Sequence, residues 1–210
     1  MTDRELIRVH WPSALRPAFD ALFAIDDALG EVVAGSSQPM LAAIKLAWWR
    51  ERLEELDRGI VLAEPRLLSA FEILLPHGVT GHEIAQIEAG WAALIEDDVD
   101  RTAFRKRGEA LFAIGARLLG MPGADLADAG GLWAEIDVAR RLGKGLPGLK
   151  PLPPSHIPRT PIPRFPGPLR PLTMFAALAR RDALRGPPFE AEATPGRSWT
   201  LIRHRFSGRC

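Results

Sequence analysis

Three carboxylates on the first long predicted helix form the first candidate site. Asp26, Asp27 and Glu31 fall within a helix predicted over residues 13–33, with Asp27 and Glu31 one turn apart on the same face. Two carboxylates at this spacing can bind a Mg²⁺ ion whose other ligands are the oxygens of a substrate diphosphate. The alternative is that they form the solvated side of an amphipathic helix. The apolar stripe through Leu29 predicts that Asp26 points outward.

A second acidic pair, Glu135 and Asp137, lies on a helix predicted over residues 124–142. Residues two apart on a helix point about 200° away from each other, so these two carboxylates do not easily share one ion. A catalytic arrangement that used them together with the first acidic group would therefore need an unusual register.

Other kinds of catalytic site find little support in the sequence. No two of the five histidines are three or four residues apart, and Cys210 is the only cysteine, so neither a helical histidine pair nor a thiolate zinc cage is expected. The segment Gly143–Gly148 matches G-x-G-x-x-G, but it follows a helix and precedes a proline-rich stretch. A dinucleotide site needs a strand before this motif and a helix after it.

Charge is distributed unevenly along the 210 residues. Residues 1–139 carry 13 Lys and Arg against 23 Asp and Glu, whereas residues 140–210 carry 14 against 3. The two parts can neutralise each other, or the basic part can lie against a phosphate-rich surface such as an anionic membrane. Binding to nucleic acid would be supported by the positive charge alone, because no recognition helix or interleaved aromatic platform accompanies the arginines. We therefore do not expect nucleic acid as a partner.

The elements that must position these residues are predicted to be helices. Apolar residues recur at three- and four-residue spacing, and runs of alternating polar and apolar residues typical of strands are not found, so the sequence predicts an all-α fold. After the helix at 13–33 and one that starts at Pro39 and stops near Gly59, helices are predicted at about 65–75, 81–95, 101–119, 124–142 and 170–185, with a loosely held basic tail ending in a short helix near 199–206.

Ten prolines in residues 147–171 exclude both helix and sheet there and predict an extended strap. In this strap Ile157, Ile162, Phe165 and Leu169 are spaced as if it packs against the rest of the chain. The predicted organisation is one domain with a helical bundle at 1–146, the strap at 147–169, and a final helix and basic tail at 170–210.

Two segments resemble the squalene/phytoene synthase family. Residues 16–25 (RPAFDALFAI) are similar to the opening helix of that family, and residues 45–53 (KLAWWRERL) are similar to its helix with the pattern R-L-x-W-W-R-x-x-L. A Gly-Val turn at 78–79 and an Ile-Glu-Ala segment at 87–89 follow in the same order. The resemblance covers roughly residues 12–142 and 167–208. Within the family, the chain is similar to degenerate bacterial members and to the branch of the mitochondrial complex I assembly factor.

Membership would imply a shortened isoprenoid-synthase-like helical bundle. In that family two facing helices each present a D-x-x-x-D motif, which binds the Mg²⁺ ions that hold and ionise a prenyl diphosphate. Aligned on this chain, the first motif falls at Gly30 and Ala34 and the second at Arg141 and Gly145, and none of these residues can bind a metal ion. A fifth aspartate, from the helix between them, corresponds to Ala93.

The resemblance therefore implies the fold more than the reaction. We expect a non-catalytic protein that either binds an isoprenoid or other lipid or acts as a partner of another protein or as an assembly factor. We expect it in the cytoplasm, with peripheral contact to an anionic inner membrane as a further hypothesis to test. No cofactor is expected. The alternative is an active prenyl transferase that uses Mg²⁺, with Asp26, Asp27 and Glu31 as catalytic candidates. Weaker substrate-binding candidates are Arg140, Trp48 and Arg50, and the alternative for Trp48 and Arg50 is inter-helix packing.

Overall fold

The computed structural model describes residues 1–36, 38–95, 101–143 and 164–210, and within these ranges the regular elements are helices, with no β-strand. The predicted all-α fold is confirmed. In chain order the α-helices are α1 (Asp3–Arg8), α2 (Arg16–Gly35), α3 (Pro39–Glu55), α4 (Pro65–Ser69), α5 (Gly81–Ala92), α6 (Arg101–Leu118), α7 (Ala127–Gly143), α8 (Arg170–Arg185) and α9 (Pro195–Ser207).

Most helix ends fall where the local sequence predicts them. Gly59 and Gly78, which end the turns after α3 and α4, adopt left-handed backbone conformations that other residues rarely reach. Thr80 begins α5 with a reciprocal capping box, in which its side chain accepts from the Glu83 backbone N–H and Glu83 accepts from the Thr80 backbone N–H. Helix α4 ends early at Ser69 because the chain continues as a π-helical turn over Ala70–Leu74.

Two segments differ from the sequence-based expectation. The six-residue helix α1, which no pattern predicted, begins at a capping box formed by Thr2 and Glu5. The C-terminal tail is firmly packed rather than loosely held, since α9 contacts α8 and α1 and buries its residues Arg197, Leu201 and His204.

Part of the proline-rich strap can be compared with its prediction. Phe165 and Leu169 are buried, and Gly167–Leu169 form a 3-10 turn that leads into α8. The strap's residues 147–163, including Ile157 and Ile162, lie outside the described residues, as does Gly145.

The interior combines an aromatic cluster with close helix contacts. Trp11 stacks on Phe19 at 4.5 Å between ring centroids, and Phe23 lies 5.0 Å from Phe175 of α8 and 6.1 Å from Trp133 of α7. These rings tie α2 to the C-terminal half of the bundle, on one side of the candidate site. Among the helices of the described residues, none is both long enough and apolar enough to span a membrane.

Candidate functional site

A pocket of about 390 Å³ opens where α1, α2, α7, α8, α9 and the segment before α9 meet. Its apolar floor contains Trp133 and Phe175, and its walls are mostly ionisable side chains. These are Asp3, Arg4, Asp27, Asp137, Arg140, Arg141, Asp182, Glu192 and Arg197. The charges of both signs are mixed along the walls, so the pocket as a whole attracts neither cations nor anions strongly.

The deepest ion pair joins Asp26 of α2 to Arg107 of α6, and both side chains are fully buried. The Arg107 Nε and Nη2 atoms each donate to a different carboxylate oxygen at 2.6 Å, a bidentate geometry. The Trp91 indole N–H also donates to Asp26, at 3.0 Å. The Arg107 guanidinium carbon lies 4.1 Å from the ring centroid of Trp91 and 4.7 Å from that of Trp133, so aromatic faces cover the cation where carboxylates do not.

Two more carboxylates extend this pair toward the pocket. Arg107 Nη2 donates to Asp137 of α7 at 2.8 Å, and Asp137 also accepts from Arg141 Nε at 3.0 Å. Arg141 Nη2 reaches Asp27 of α2 at 3.3 Å, and Arg4 of α1 binds both oxygens of the Asp27 carboxylate. We call these six residues, Arg4, Asp26, Asp27, Arg107, Asp137 and Arg141, the central ion network.

The arginines of the network favour the ionised forms of Asp27 and Asp137. Burial alone would raise the pKa of Asp27, but the hydrogen bonds and charges of Arg4 and Arg141 outweigh burial and hold that pKa below its usual value. The same balance, with Arg141 and Arg107 as the cations, lowers the pKa of Asp137. A carboxylate stabilised in this way is a weak base near neutral pH, so these aspartates are poorly suited to general acid–base catalysis.

A second ionic group closes the other side of the pocket. Arg197 of α9 donates to Asp3 of α1 at 2.8 Å and to Asp182 of α8 at 2.5 Å. Arg140 of α7 donates to the other Asp182 oxygen at 2.9 Å and to the Glu190 backbone carbonyl at 2.9 Å. Four helices are therefore joined by arginine–aspartate pairs around this side of the pocket.

The residues present do not fit a Mg²⁺–diphosphate site. Magnesium needs carboxylate oxygens that are free to enter its octahedral shell, whereas each aspartate of the central ion network already accepts hydrogen bonds from one or two guanidinium groups. Among the described residues, no group of three or more His, Cys, Asp or Glu side chains is arranged to bind a metal.

Gly30 and Arg141, at which the resemblance aligned one aspartate of each motif, lie next to each other across the site. A Cβ atom built on Gly30 would be 2.9 Å from the Trp91 ring and 3.2 Å from Arg141 Nη1. The indole of Trp91 and the guanidinium of Arg141 therefore occupy the space that a side chain at Gly30 would need. Ala93, at the third aligned position, is buried at the end of α5.

The first acidic group does not act as a unit. The expectation that Asp26 points outward is wrong, because its carboxylate is fully buried against Arg107 and Trp91. Asp27 joins the pocket wall, whereas Glu31 is exposed and pairs with Arg66 at 2.8 Å. The second acidic pair also divides, since Asp137 enters the network and Glu135 binds Arg105 at 3.2 Å.

The substrate-binding candidates lie in two different places. Arg140 lines the pocket. Trp48 and Arg50 lie on α3 away from the pocket walls, with Trp48 partly exposed while its neighbour Trp49 is buried. Arg50 Nη1 lies 3.8 Å from the buried Glu88 carboxylate of α5, so Arg50 joins α3 to α5.

Arg107, Arg4 and Trp91 were not among the candidates from the sequence. The signal for Arg107 was present, because it follows Phe104 by three residues and precedes Leu111 by four, and both neighbours are buried. A cation on the apolar stripe of a helix indicates a buried partner. Arg4 precedes any recognisable apolar stripe, so its pairing with Asp27 depends on a tertiary contact that no local pattern indicates.

Comparisons with protein-family models, with curated proteins and with solved structures found no match to this chain. The functional conclusion therefore depends on the geometry of the pocket and on the sequence resemblance described above.

Proposed function

We propose that this chain is an isoprenoid-synthase-like helical protein that does not ionise prenyl diphosphates and acts instead as a partner or assembly protein. The observation that carries the proposal is the central ion network, in which Arg107 and Arg141 occupy the carboxylates of α2 and α7. In the family that the sequence resembles, carboxylates on two facing helices hold the metal ions. Here the aligned positions Gly30 and Arg141 carry no carboxylate, and the carboxylates nearby are bound to arginine, so we expect no ionisation of the substrate.

The contact between Gly30 and Arg141 supports the family part of the proposal. The sequence alignment placed these two residues on facing motifs, and a Cβ atom at Gly30 would lie 3.2 Å from Arg141 Nη1. Two positions 111 residues apart in sequence are thus neighbours across the pocket. This proximity is what the alignment requires if α2 and α7 correspond to the two motif helices.

The arginines of the pocket are also poorly placed to bind a free diphosphate. Arg4, Arg140, Arg141 and Arg197 each donate to a carboxylate. A diphosphate would have to displace these internal partners, and a displaced carboxylate would then lie close to the added negative charge. Breaking the pairs with the buried Asp182 in this way is costly, because an uncompensated charge remains.

Between the two forms of non-catalytic role, the lining of the pocket favours the protein partner over the bound lipid. A prenyl chain is apolar along its whole length, whereas nine of the fifteen residues that line the pocket are ionisable. Burial of an apolar chain against charged groups gains little from the hydrophobic effect. Exposed apolar side chains occur instead on the outside of the molecule, for example Met40 and Ile44 of α3.

The proposal is tested by adding farnesyl diphosphate or geranylgeranyl diphosphate with Mg²⁺ to the purified protein. Pyrophosphate release and heat of binding are measured for the wild type and for Asp27→Ala. We expect no release and no Mg²⁺-dependent heat for either protein. Turnover by the wild type that Asp27→Ala abolishes would overturn the proposal and establish the alternative, an active prenyl transferase.

The lipid-binding form is tested separately by extracting the purified protein with organic solvent and analysing the extract by mass spectrometry. The partner role predicts no stoichiometric polyprenyl lipid. A polyprenyl lipid retained at about one molecule per chain would assign the pocket to lipid and contradict the partner role.

A further inference from the structure

Helix α9 buries two of its polar side chains and exposes three of its four large apolar side chains. Arg197 and His204 face the protein and are almost completely buried, whereas Trp199 is 66%, Ile202 43% and Phe206 78% exposed. An amphipathic helix at the surface of a globular protein normally has the opposite orientation. The outward apolar residues are spaced by three and four positions, so they form one continuous stripe along the helix.

The inward face fixes this orientation through specific contacts. Arg197 pairs with Asp3 and Asp182, Leu201 packs into the core, and His204 Nε2 lies 2.8 Å from the Thr173 hydroxyl of α8. Turning the helix over would remove Arg197 from two buried aspartates, Asp3 and Asp182. The outward stripe is therefore held in place by the pairing of the inward face.

Two exposed arginines are close to the stripe in sequence, one on α9 and one two residues after its end. Arg203 and Arg209 are exposed, and neither forms an ion pair with any residue that the structure describes. From residue 193 to residue 210 the sequence contains four arginines and neither Asp nor Glu. The α9 outer face, defined as Trp199, Ile202, Arg203 and Phe206 of the helix together with Arg209 two residues after its end, is thus apolar along its centre and cationic at its margin.

We infer that the α9 outer face is a docking surface for an anionic lipid bilayer. Helices that lie in a membrane interface combine Trp, Phe and aliphatic side chains, buried roughly 5–10 Å into the headgroup region, with Arg and Lys that contact lipid phosphates. Arginine suits this position because its long stem reaches back to the headgroups while its guanidinium binds phosphate bidentately. This inference goes beyond the proposed function and does not depend on it.

Length and charge select this partner over the others. With 13 residues, α9 is shorter than the roughly 20 needed to cross the hydrocarbon core, so it would lie along the surface. A second copy of the chain would place one arginine-rich face against another, which like-charge repulsion opposes. Binding of a single-stranded nucleic acid needs aromatic rings on which successive bases stack. The stripe has an aliphatic side chain, Ile202, between its two aromatic rings, so it does not provide such a series.

The test is flotation of the full chain with vesicles of phosphatidylcholine alone and of phosphatidylcholine with phosphatidylglycerol. We expect binding to the anionic vesicles and at least about tenfold weaker binding to the neutral ones. The variant Trp199→Gln/Ile202→Gln/Phe206→Gln should lose at least about tenfold in affinity for the anionic vesicles. The variant Arg203→Gln/Arg209→Gln should bind less tightly and with a smaller dependence on salt.

The matched control changes three exposed apolar residues on a different helix, in the variant Met40→Gln/Leu41→Gln/Ile44→Gln. This α3 variant should bind anionic vesicles as the wild type does. Far-UV circular dichroism and thermal unfolding confirm that each variant is folded. Because the α9 substitutions are at exposed positions, their effect on stability should be small.

Membrane contact by Trp199 has its own signature. Brominated lipids quench tryptophan fluorescence at short range, so the wild type should be quenched more than Trp199→Phe, which keeps an aromatic ring at the same place. The inference is overturned if the wild type fails to bind anionic vesicles at low salt, or if the α9 and α3 triple variants bind alike. It is also overturned if the α9 substitutions dissociate a dimer while vesicle binding is undetectable.

Discussion

Arginines serve opposite purposes in the central ion network and on the α9 outer face. Arg107 is fully buried, binds Asp26 and Asp137, and is covered by two tryptophan rings. Arg203 and Arg209 are exposed and have no ion pair within the described chain. The same side chain is a structural counter-ion where carboxylates surround it and a contact group where none is near. Sequence composition counts these arginines together, and only their partners distinguish them.

The largest difference between the two regions should appear in stability. Arg107→Ala leaves Asp26 buried with one hydrogen bond from Trp91, and removal of one partner from a buried ion pair typically costs about 3–5 kcal/mol. Arg203→Ala removes an exposed arginine and should change the free energy of unfolding by less than about 0.5 kcal/mol. Urea denaturation of both variants provides the measurement. Equal losses would show that burial does not separate the two groups of arginines.

A smaller loss is expected where Gly30 meets the network. A Cβ atom in Gly30→Ala would lie 2.9 Å from the Trp91 ring, which its hydrogen bond to Asp26 holds in place. We expect this overpacking to lower the free energy of unfolding by about 1–2 kcal/mol.

Gly35→Ala at the end of the same helix is the control for Gly30→Ala. A Cβ atom at Gly35 meets no neighbouring atom within 4 Å, so this change should be neutral or stabilise by up to about 1 kcal/mol through helix propensity. Urea denaturation midpoints are measured for both variants, and we expect a lower midpoint for Gly30→Ala but not for Gly35→Ala. A stabilised Gly30→Ala protein would mean that the space beside Trp91 is not filled.

Acid should weaken the surroundings of His204 and the central ion network in different pH ranges. Burial, with a further contribution from Arg170, lowers the pKa of His204 despite its hydrogen bond to the Arg209 carbonyl. The unfolded chain therefore binds the proton more readily, and stability should fall as pH drops below about 6.5, the unfolded value for histidine. The lowered pKa values of Asp27 and Asp137 add a loss only below about pH 4.

The His204 contribution is isolated by comparing the wild type with His204→Gln. Free energies of unfolding are measured by urea denaturation between pH 5 and pH 7.5. The difference between the two proteins should shift in favour of the variant as the pH falls. A constant difference over this range would contradict the assignment of a buried neutral histidine.

The smallest expected effect concerns the exposed arginines. Arg203→Gln/Arg209→Gln should leave the thermal midpoint nearly unchanged, because both side chains are exposed and neither forms an ion pair with a residue that the structure describes. If the same variant also loses salt-dependent binding to anionic vesicles, Arg203 and Arg209 act in binding and not in stability, unlike the arginines of the central ion network. A large fall in the thermal midpoint would instead mean that these arginines support the fold.

Local sequence patterns were sufficient for most of the helices but not for the site. The apolar spacing of α5 and α8 and the glycine and proline residues that flank them predicted those helices closely, because such signals act within a few residues. The partners of Asp26 could not be read in the same way. Arg107 lies 81 residues away in sequence, and the outward orientation assumed for Asp26 ignored its place beside the buried stripe.

Local sequence patterns also fail to show which face of α9 is buried. Trp199, Ile202 and Phe206 have the spacing of a core-facing stripe, so the sequence alone favours their burial. Their exposure follows from Arg197, which binds Asp3 and Asp182 and fixes the other face of the helix inward. In α9, therefore, ion pairs between residues far apart in sequence decide which face of the helix is buried.

A double-mutant cycle between Asp26 and Arg107 tests the central claim most directly. Free energies of unfolding are measured for Asp26→Asn, for Arg107→Met and for the two changes combined. Because the residues form one buried bidentate pair, the double variant should lose less than the sum of the single losses, with a coupling free energy of about 2–3 kcal/mol. Losses that add to within about 0.5 kcal/mol would contradict the claim that these carboxylates are committed to arginine.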